Sequence, residues 1–195
     1  METKQRIKVS LPLCEEEVAK LRAGDAVALT GEVFVARDAA HKRMADTLAA
    51  ARQTCPTCAA PQEDDACRSA ILPFDLRGAT IYYMGPSPAR PGNVIGSAGP
   101  TTSSRMDVYT PELLDLGLKG MIGKGRRSEE VIEAIVRNRA VYFVAIGGAG
   151  ALLAKHITKS EVIAYDDLGA EAIRRLEVKD FPVIVAIDSE GNNFL

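Results

Sequence analysis

The residues best equipped for chemistry fall between Gly96 and Ser128. Gly-Ser-Ala-Gly-Pro-Thr-Thr-Ser-Ser-Arg-Met-Asp sets four consecutive hydroxyls, Thr101, Thr102, Ser103 and Ser104, beside the guanidinium of Arg105. Ile-Gly-Lys-Gly-Arg-Arg-Ser then puts the ammonium of Lys124 between two glycines. Such a set suits anions. Arg105 can hold a carboxylate through two parallel charge-assisted hydrogen bonds, and Lys124 adds a compact point charge. Exposed N–H groups at the start of a helix capped by Ser128 favour negative charge as well. The expected ligand is a small acid or a phosphate. A glycine- and serine-rich surface loop with solvated charges is the bland alternative. Irregular loops of more than about a dozen residues are uncommon in compact domains unless they carry function.

Other candidates are weaker. His41 falls in the first turn of a helix expected from Asp38 to about Arg52, where a polar residue is most often solvated. The adjacent Lys42 and Arg43 disfavour its protonated form, and a neutral imidazole with one N–H to donate suits a substrate contact. Arg90, in the Pro- and Gly-rich run from Ser87 to Gly99, is either a second anion contact or an ordinary loop arginine. Cys55, Cys58 and Cys67 offer three thiols within thirteen residues, without the visible fourth ligand that tetrahedral zinc needs. A surface insertion with incidental cysteines competes with a metal knuckle there. Two motifs are decoys. Lys124 is followed by Gly125 instead of Ser or Thr, which excludes a Walker P-loop, and Gly148-Ala-Gly150 lacks the third small residue of a dinucleotide fingerprint because position 153 is Leu.

The elements that must position these groups alternate. Ile7, Val9 and Leu11 read as a half-buried strand closed by Pro12, and Glu15 to Leu21 as a short helix. Val27, Leu29, Gly31, Val33 and Val35 read as two short strands or one bulged strand. Thr80 to Met84 is a strand ended by Gly85-Pro86, and Thr110-Pro111 starts a short helix with Thr110 as N-cap. From Lys119 the expected order is strand (Lys119–Ile122), helix (Glu129–Asn138), strand (Val141–Ile146) and helix (Ala149–His156). Strand (Glu161–Tyr165), helix (Ala170–Leu176), strand (Val183–Ile187) and a turn at Asp188–Gly191 follow. The fold class is α/β, with a β-rich N-terminal half and an alternating β/α C-terminal half in one domain.

With 195 residues, 47% of them hydrophobic, the chain can bury a sizeable core. A net charge of -2 and no Trp argue against a nucleic-acid partner. The N-terminus leads into an alternating strand instead of an apolar leader, and no apolar run reaches about eighteen residues, so a cytoplasmic location with no membrane contact is expected.

Four strings, taken in order, resemble one family. They are Ala36-Arg37-Asp38-Ala39-Ala40-His41-Lys42-Arg43, Gly99-Pro100-Thr101-Thr102-Ser103-Ser104-Arg105-Met106-Asp107, Gly123-Lys124-Gly125, and Leu168-Gly169-Ala170-Glu171-Ala172. The chain resembles the β subunit, equivalent to the C-terminal domain, of class I iron–sulfur fumarate hydratases and the related L-tartrate dehydratases. The likeness covers nearly everything outside a cysteine-bearing insertion at about residues 53–70. It implies a swivelling β/β/α domain over residues 1–195 and reversible hydration of fumarate to malate. It also implies a larger α subunit whose cysteines hold a [4Fe–4S] cluster, in a hetero-oligomer such as α2β2. Carried onto this chain, His41, Thr101, Arg105 and Lys124 are the substrate-binding and catalytic contributions, with Thr102 as a neighbouring hydroxyl. Cys55, Cys58 and Cys67 are not assigned to the cluster, and no metal is expected on this chain.

That chemistry needs two carboxylates clamped, a Lewis acid for water and a group that exchanges a proton at carbon. Arg105 and Lys124 would clamp, and Thr101 is the proton-transfer candidate by resemblance. A free threonine hydroxyl is a poor base, so chemistry by this chain alone is not expected. Fumarate is preferred over tartrate because the run Leu168 to Asn193 looks closer to fumarase β chains. A non-catalytic module binding an organic acid or phosphate is the competing reading.

Overall fold

The strand on which the others are assembled is β2, Ala26–Val35. The computed structural model describes residues 6–54, 71–145 and 148–195, which leaves Cys55, Cys58, Cys67 and most of the insertion outside the described residues. Val27, Leu29, Val33 and Val35 project to one side of β2 and are buried together. The strand is continuous, with a bulge between Leu29 and Gly31. Gly31 has φ +132°, and a Cβ there would lie 2.6 Å from the carbonyl oxygen of Leu11. Only glycine lets the chain leaving β1 (Ile7–Ser10) pass so close.

Parallel pairing runs from β1 to β2, then through β3 (Thr80–Tyr82), β4 (Gly120–Gly123) and β5 (Val141–Val144). The last long strand, β7 (Ile173–Ile187), is antiparallel to β2, to β5 and to β6 (Ile157–Ala164). Because β7 pairs with both β2 and β5, the succession β2–β3–β4–β5–β7 closes on itself, with β1 and β6 attached outside the ring.

Side-chain alternation along the strands then produces two cores. Tyr82, Ile122, Val141, Phe143, Leu176, Phe181 and Val185 meet on one side. Ile81, Met121 and Tyr142 point the other way. There α2 (Asp38–Thr54) contributes Ala40, Met44 and Leu48 at four-residue spacing. The short α3 (Thr110–Asp115) adds Leu113 and Leu114, and α4 (Glu129–Arg137) adds Val131, Ala134 and Ile135. Each large apolar side chain buried here stabilises the fold by about 1.5–3 kcal/mol. The remaining helices, α1 (Glu15–Val18) and α5 (Gly150–Ala154), are one turn each. Among the described residues no helix is long and apolar enough to cross a membrane.

The architecture is mixed α/β, as expected, and several elements differ from their sequence reading. The helix expected at Ala170–Leu176 is a 3-10 turn (Asp166–Glu171) followed by β7. Ala, Glu, Arg and Leu favour a helix locally, but β2 on one edge and β6 on the other supply Arg174 to Val178 with ladder partners. The strand β6 begins at Ile157, four residues ahead of its expected start. Tyr109, not Thr110, precedes α3 as its cap position, and the Thr110 hydroxyl donates instead to the carbonyl of Met106 at 2.9 Å. The turn after β7 is present, with Asp188 N–H donating to Asn192 O at 3.1 Å.

Candidate functional site

At the C-terminal ends of the parallel strands β3 and β4 the chain returns from its Pro- and Gly-rich loop and lies between them. Thr101 N–H donates to Tyr83 O at 2.7 Å, Thr102 forms a parallel bridge with Lys124, and Ser103 N–H donates to Lys124 O at 3.0 Å. The strand ends of an α/β sheet are where ligands characteristically bind. The approach is tight enough to dictate composition, since a Cβ at Gly123 would collide with Ser103 Oγ. Lys124 is exposed and its ammonium has no ion-pair partner among the described residues.

A 3-10 turn, Ser103–Met106, then carries Arg105 to the start of α2. Arg105 Nε donates to Asp38 Oδ1 at 2.8 Å and Nη2 to Asp38 Oδ2 at 2.7 Å. Arg37 reaches the same carboxylate, its Nη2 3.5 Å from Asp38 Oδ2 and also 3.5 Å from Glu171 Oε1. Glu171 in turn accepts from Ala39 N–H at 2.8 Å. Two guanidinium groups thus flank one acid, and the Nε of Arg37 is buried without a hydrogen-bond partner among the described residues.

Behind this face lies a buried polar layer. Arg127, fully enclosed, donates from Nε to Asp107 Oδ1 at 2.7 Å and from Nη2 to Thr110 Oγ1 at 2.7 Å, and its guanidinium lies over the rings of Tyr83 and Tyr142. Asp107 Oδ2 accepts from Ser128 N–H at 2.7 Å. The first-turn anion slot of α4, expected to help bind a ligand, is therefore filled by the chain's own carboxylate. Ser128 still caps α4, its Oγ accepting from Val131 N–H at 3.4 Å.

His41 is completely buried instead of solvated, and its Nε2 has no hydrogen-bond partner among the described residues. Its Nδ1 lies 2.9 Å from Arg37 O, and a carbonyl can only accept, so Nδ1 carries the proton. Burial pushes its pKa down to about 4, and the positive charge of Arg127 adds to the effect. The ring is neutral as expected, but not because of its sequence neighbours: Lys42 is bound to Asp46 and Arg43 to Asp167. Arg90 stands apart from the cluster. It lines a different surface hollow with Asn93, Ile95 and, from α5, Ala151 and Ala154.

The family described as Fumarase C-terminus matches residues 1–195, the whole chain. The chain belongs to that family. It is 32% identical over 193 residues to the class I aerobic fumarate hydratase of Salmonella typhimurium, spanning 97% of this chain and 30% of that protein. It is 36% identical over 170 residues to the class I anaerobic fumarate hydratase of Escherichia coli, spanning 86% of this chain and 28% of that one. A putative L(+)-tartrate dehydratase subunit beta of Methanocaldococcus jannaschii is 35% identical over 187 residues, spanning 93% of this chain and 87% of the relative. This member of the Fumarase C-terminus family thus spans about a third of the fumarate hydratases it matches and most of the tartrate dehydratase subunit.

The sequence singles out Thr101, Thr102, Arg105 and Lys124; the fold brings Thr101, Thr102 and Lys124 to one pair of strand ends, with Arg105 one 3-10 turn further on at the start of α2. Sequence reasoning overlooked Arg37 and Asp38 as members, although both stand in the Ala36–Arg43 string. It also counted Ser103 among ligand-facing hydroxyls, whereas that side chain is fully buried. Arg127 carried no usable signal, since nothing local separates it from the exposed Arg126.

Proposed function

We propose that this chain is the β part of an iron–sulfur hydro-lyase that reversibly adds water to fumarate to give malate. The observation that carries the reading is the bridge between Thr102 and Lys124. It runs the backbone of Lys124, whose ammonium has no ion-pair partner among the described residues, alongside that of Thr101 and Thr102, one 3-10 turn from the Arg105 and Arg37 guanidinium groups on Asp38. In this reading Arg105 holds one substrate carboxylate, Lys124 attracts the other and Arg37 supports the first through the Asp38 cluster. The Thr101 hydroxyl serves the proton exchange in concert with a partner residue. His41 acts from below, holding the backbone of Arg37.

Among the described residues no three His, Cys, Asp or Glu side chains gather to hold a metal ion, and Cys14 is an exposed single thiol. The reading places the [4Fe–4S] cluster on an α partner in a cytoplasmic hetero-oligomer, where it would supply the Lewis acid for water. Every contribution named above is then binding, orientation or proton handling. The swivelling motion of the domain belongs to the same reading.

Anaerobic reconstitution with a cluster-bearing α partner is expected to give malate–fumarate interconversion. No turnover in the reconstituted complex, or full turnover by the isolated chain, overturns it. A second reading, L-tartrate dehydratase subunit β, is favoured by the size match to the archaeal relative. Parallel assays with malate and L-tartrate decide between them. Ligand-dependent stabilisation without any turnover would make the chain a binding module.

A further inference from the structure

Beneath Lys124 lies a chain of buried hydroxyls whose proton count can be worked out. The Tyr142 hydroxyl is 2.9 Å from Ser103 Oγ and 2.8 Å from the carbonyl of Gly125, and Lys124 N–H donates to Ser103 Oγ at 3.1 Å. Each hydroxyl owns one proton and the Gly125 carbonyl can only accept. Tyr142 therefore donates to Gly125 O, Ser103 donates to Tyr142 Oη, and Ser103 Oγ takes the Lys124 amide. The result is a directional relay from the backbone N–H of Lys124 to the backbone C=O of the next residue, with every proton used once.

The relay is enclosed. Ser103 and Tyr142 have no solvent exposure, and the absence of a side chain at Gly123 makes room for Ser103 Oγ. Burial pushes the Tyr142 hydroxyl up to about 12, so it remains a donor at any physiological pH. The cation beside its ring, Arg127, is held by Asp107, which also accepts the Ser128 amide; both ends of the turn from Lys124 to Ser128 are thus tied to the Thr101–Asp107 segment. Tyr142 stands on β5, one strand away from the ligand-facing residues, and both contacts of its hydroxyl are to groups flanking Lys124.

We propose that Tyr142 is a positioning residue, its hydroxyl fixing through Ser103 and Gly125 where Lys124 stands relative to Thr101 and Arg105. The part of this that concerns turnover rests on the reading under Proposed function. Tyr142→Phe keeps the ring in the core and removes the hydroxyl shared by Ser103 and Gly125, so the turn loosens while the sheet persists.

The test is a double-mutant cycle in the reconstituted α–β complex, joined to amide hydrogen exchange on the full chain. Tyr142→Phe is expected to lower kcat/KM about tenfold in the parent, and by less than about twofold when Lys124→Ala is already present, because the two act through one contact. The Lys124 amide is expected to exchange more than about tenfold faster in Tyr142→Phe while amides of β5 keep their protection. Ser103→Ala should reproduce both effects, and stands in if Tyr142→Phe fails to fold. Equal losses with and without Lys124 overturn the proposal, and so does unchanged protection of the Lys124 amide. If Lys124→Ala leaves turnover intact, the role of Lys124 in catalysis falls, and amide exchange alone then decides the relay.

Discussion

Arg105 grips Asp38 through two parallel bonds, Nε to Oδ1 at 2.8 Å and Nη2 to Oδ2 at 2.7 Å. Their side chains are 49% and 30% exposed, so the pair adds at most about 1 kcal/mol to stability. In the proposed function its part is to hold the planar fork in the orientation a substrate carboxylate needs. Arg105→Ala is therefore expected to shift the melting temperature by less than about 4 °C. In the α–β complex it should cost about 2–5 kcal/mol of transition-state binding, the range for truncating one member of an enclosed charge pair. Arg105→Lys should not restore activity, because a point charge lacks the fork. Melting far below the parent would make Arg105 a structural residue.

Thr101 is held by its backbone amide on Tyr83 O, so its side chain can be changed without disturbing the strand ends. Thr101→Ala is expected to lower kcat about a hundredfold while KM barely moves, the pattern of a group that acts in proton transfer. Steady-state kinetics on the complex provide the check. A raised KM at constant kcat would reduce Thr101 to a binding contact.

The Arg127–Asp107 pair is a different kind of interaction, with side-chain exposures of 0% and 11%. Arg127→Met should destabilise the chain by about 3–5 kcal/mol, because it strands the Asp107 carboxylate in an enclosed site. Urea unfolding measures it. Adding Asp107→Leu should recover part of the loss, and a single-variant effect under about 1 kcal/mol would contradict the enclosed-pair description.

The burial of His41 makes stability depend on pH. Its folded value of about 4 lies below the ordinary 6.5, so between these the unfolded chain binds more protons than the folded one. The neutral ring's contribution is fully present above pH 6.5 and is lost as pH falls towards 4. The loss amounts to about 3 kcal/mol at most. Unfolding free energies measured across that window should fall with acid in the parent, and less steeply in His41→Leu. Equal slopes would show that the imidazole is hydrated in the folded state.

The parallel strands β3, β4 and β5 were legible as short apolar runs, because both of their faces are buried, and the helices α2 and α4 because each buries one face, which imposes a period on the sequence. Thr101, Arg105 and Lys124 were legible because glycines and hydroxyls cluster around them. Where pairing partners far along the chain decide the outcome, local pattern misleads. Ile173 and Leu176 are spaced like a helix, yet β2 and β6 make them a strand. The same holds for His41, whose first-turn position reads as surface and whose burial depends on Tyr83 and Tyr109 closing over it. Ser103 and Tyr142 are 39 residues apart, and no local signal links a serine in a loop to a tyrosine in a strand.

The closure of the sheet by β7 sets an order of assembly. Strands β2 and β5 are made early, but the edges they share with β7 stay open until residues 173–187 have emerged, and such distant pairings are slow to form. Glu171, which braces Arg37 and the first turn of α2, arrives at the same moment. The face proposed to bind the substrate is thus finished only when the ring of strands is sealed. Nascent or partly unfolded chains therefore lack that arrangement, and if the proposed site binds its substrate, affinity should report on whether the ring has shut.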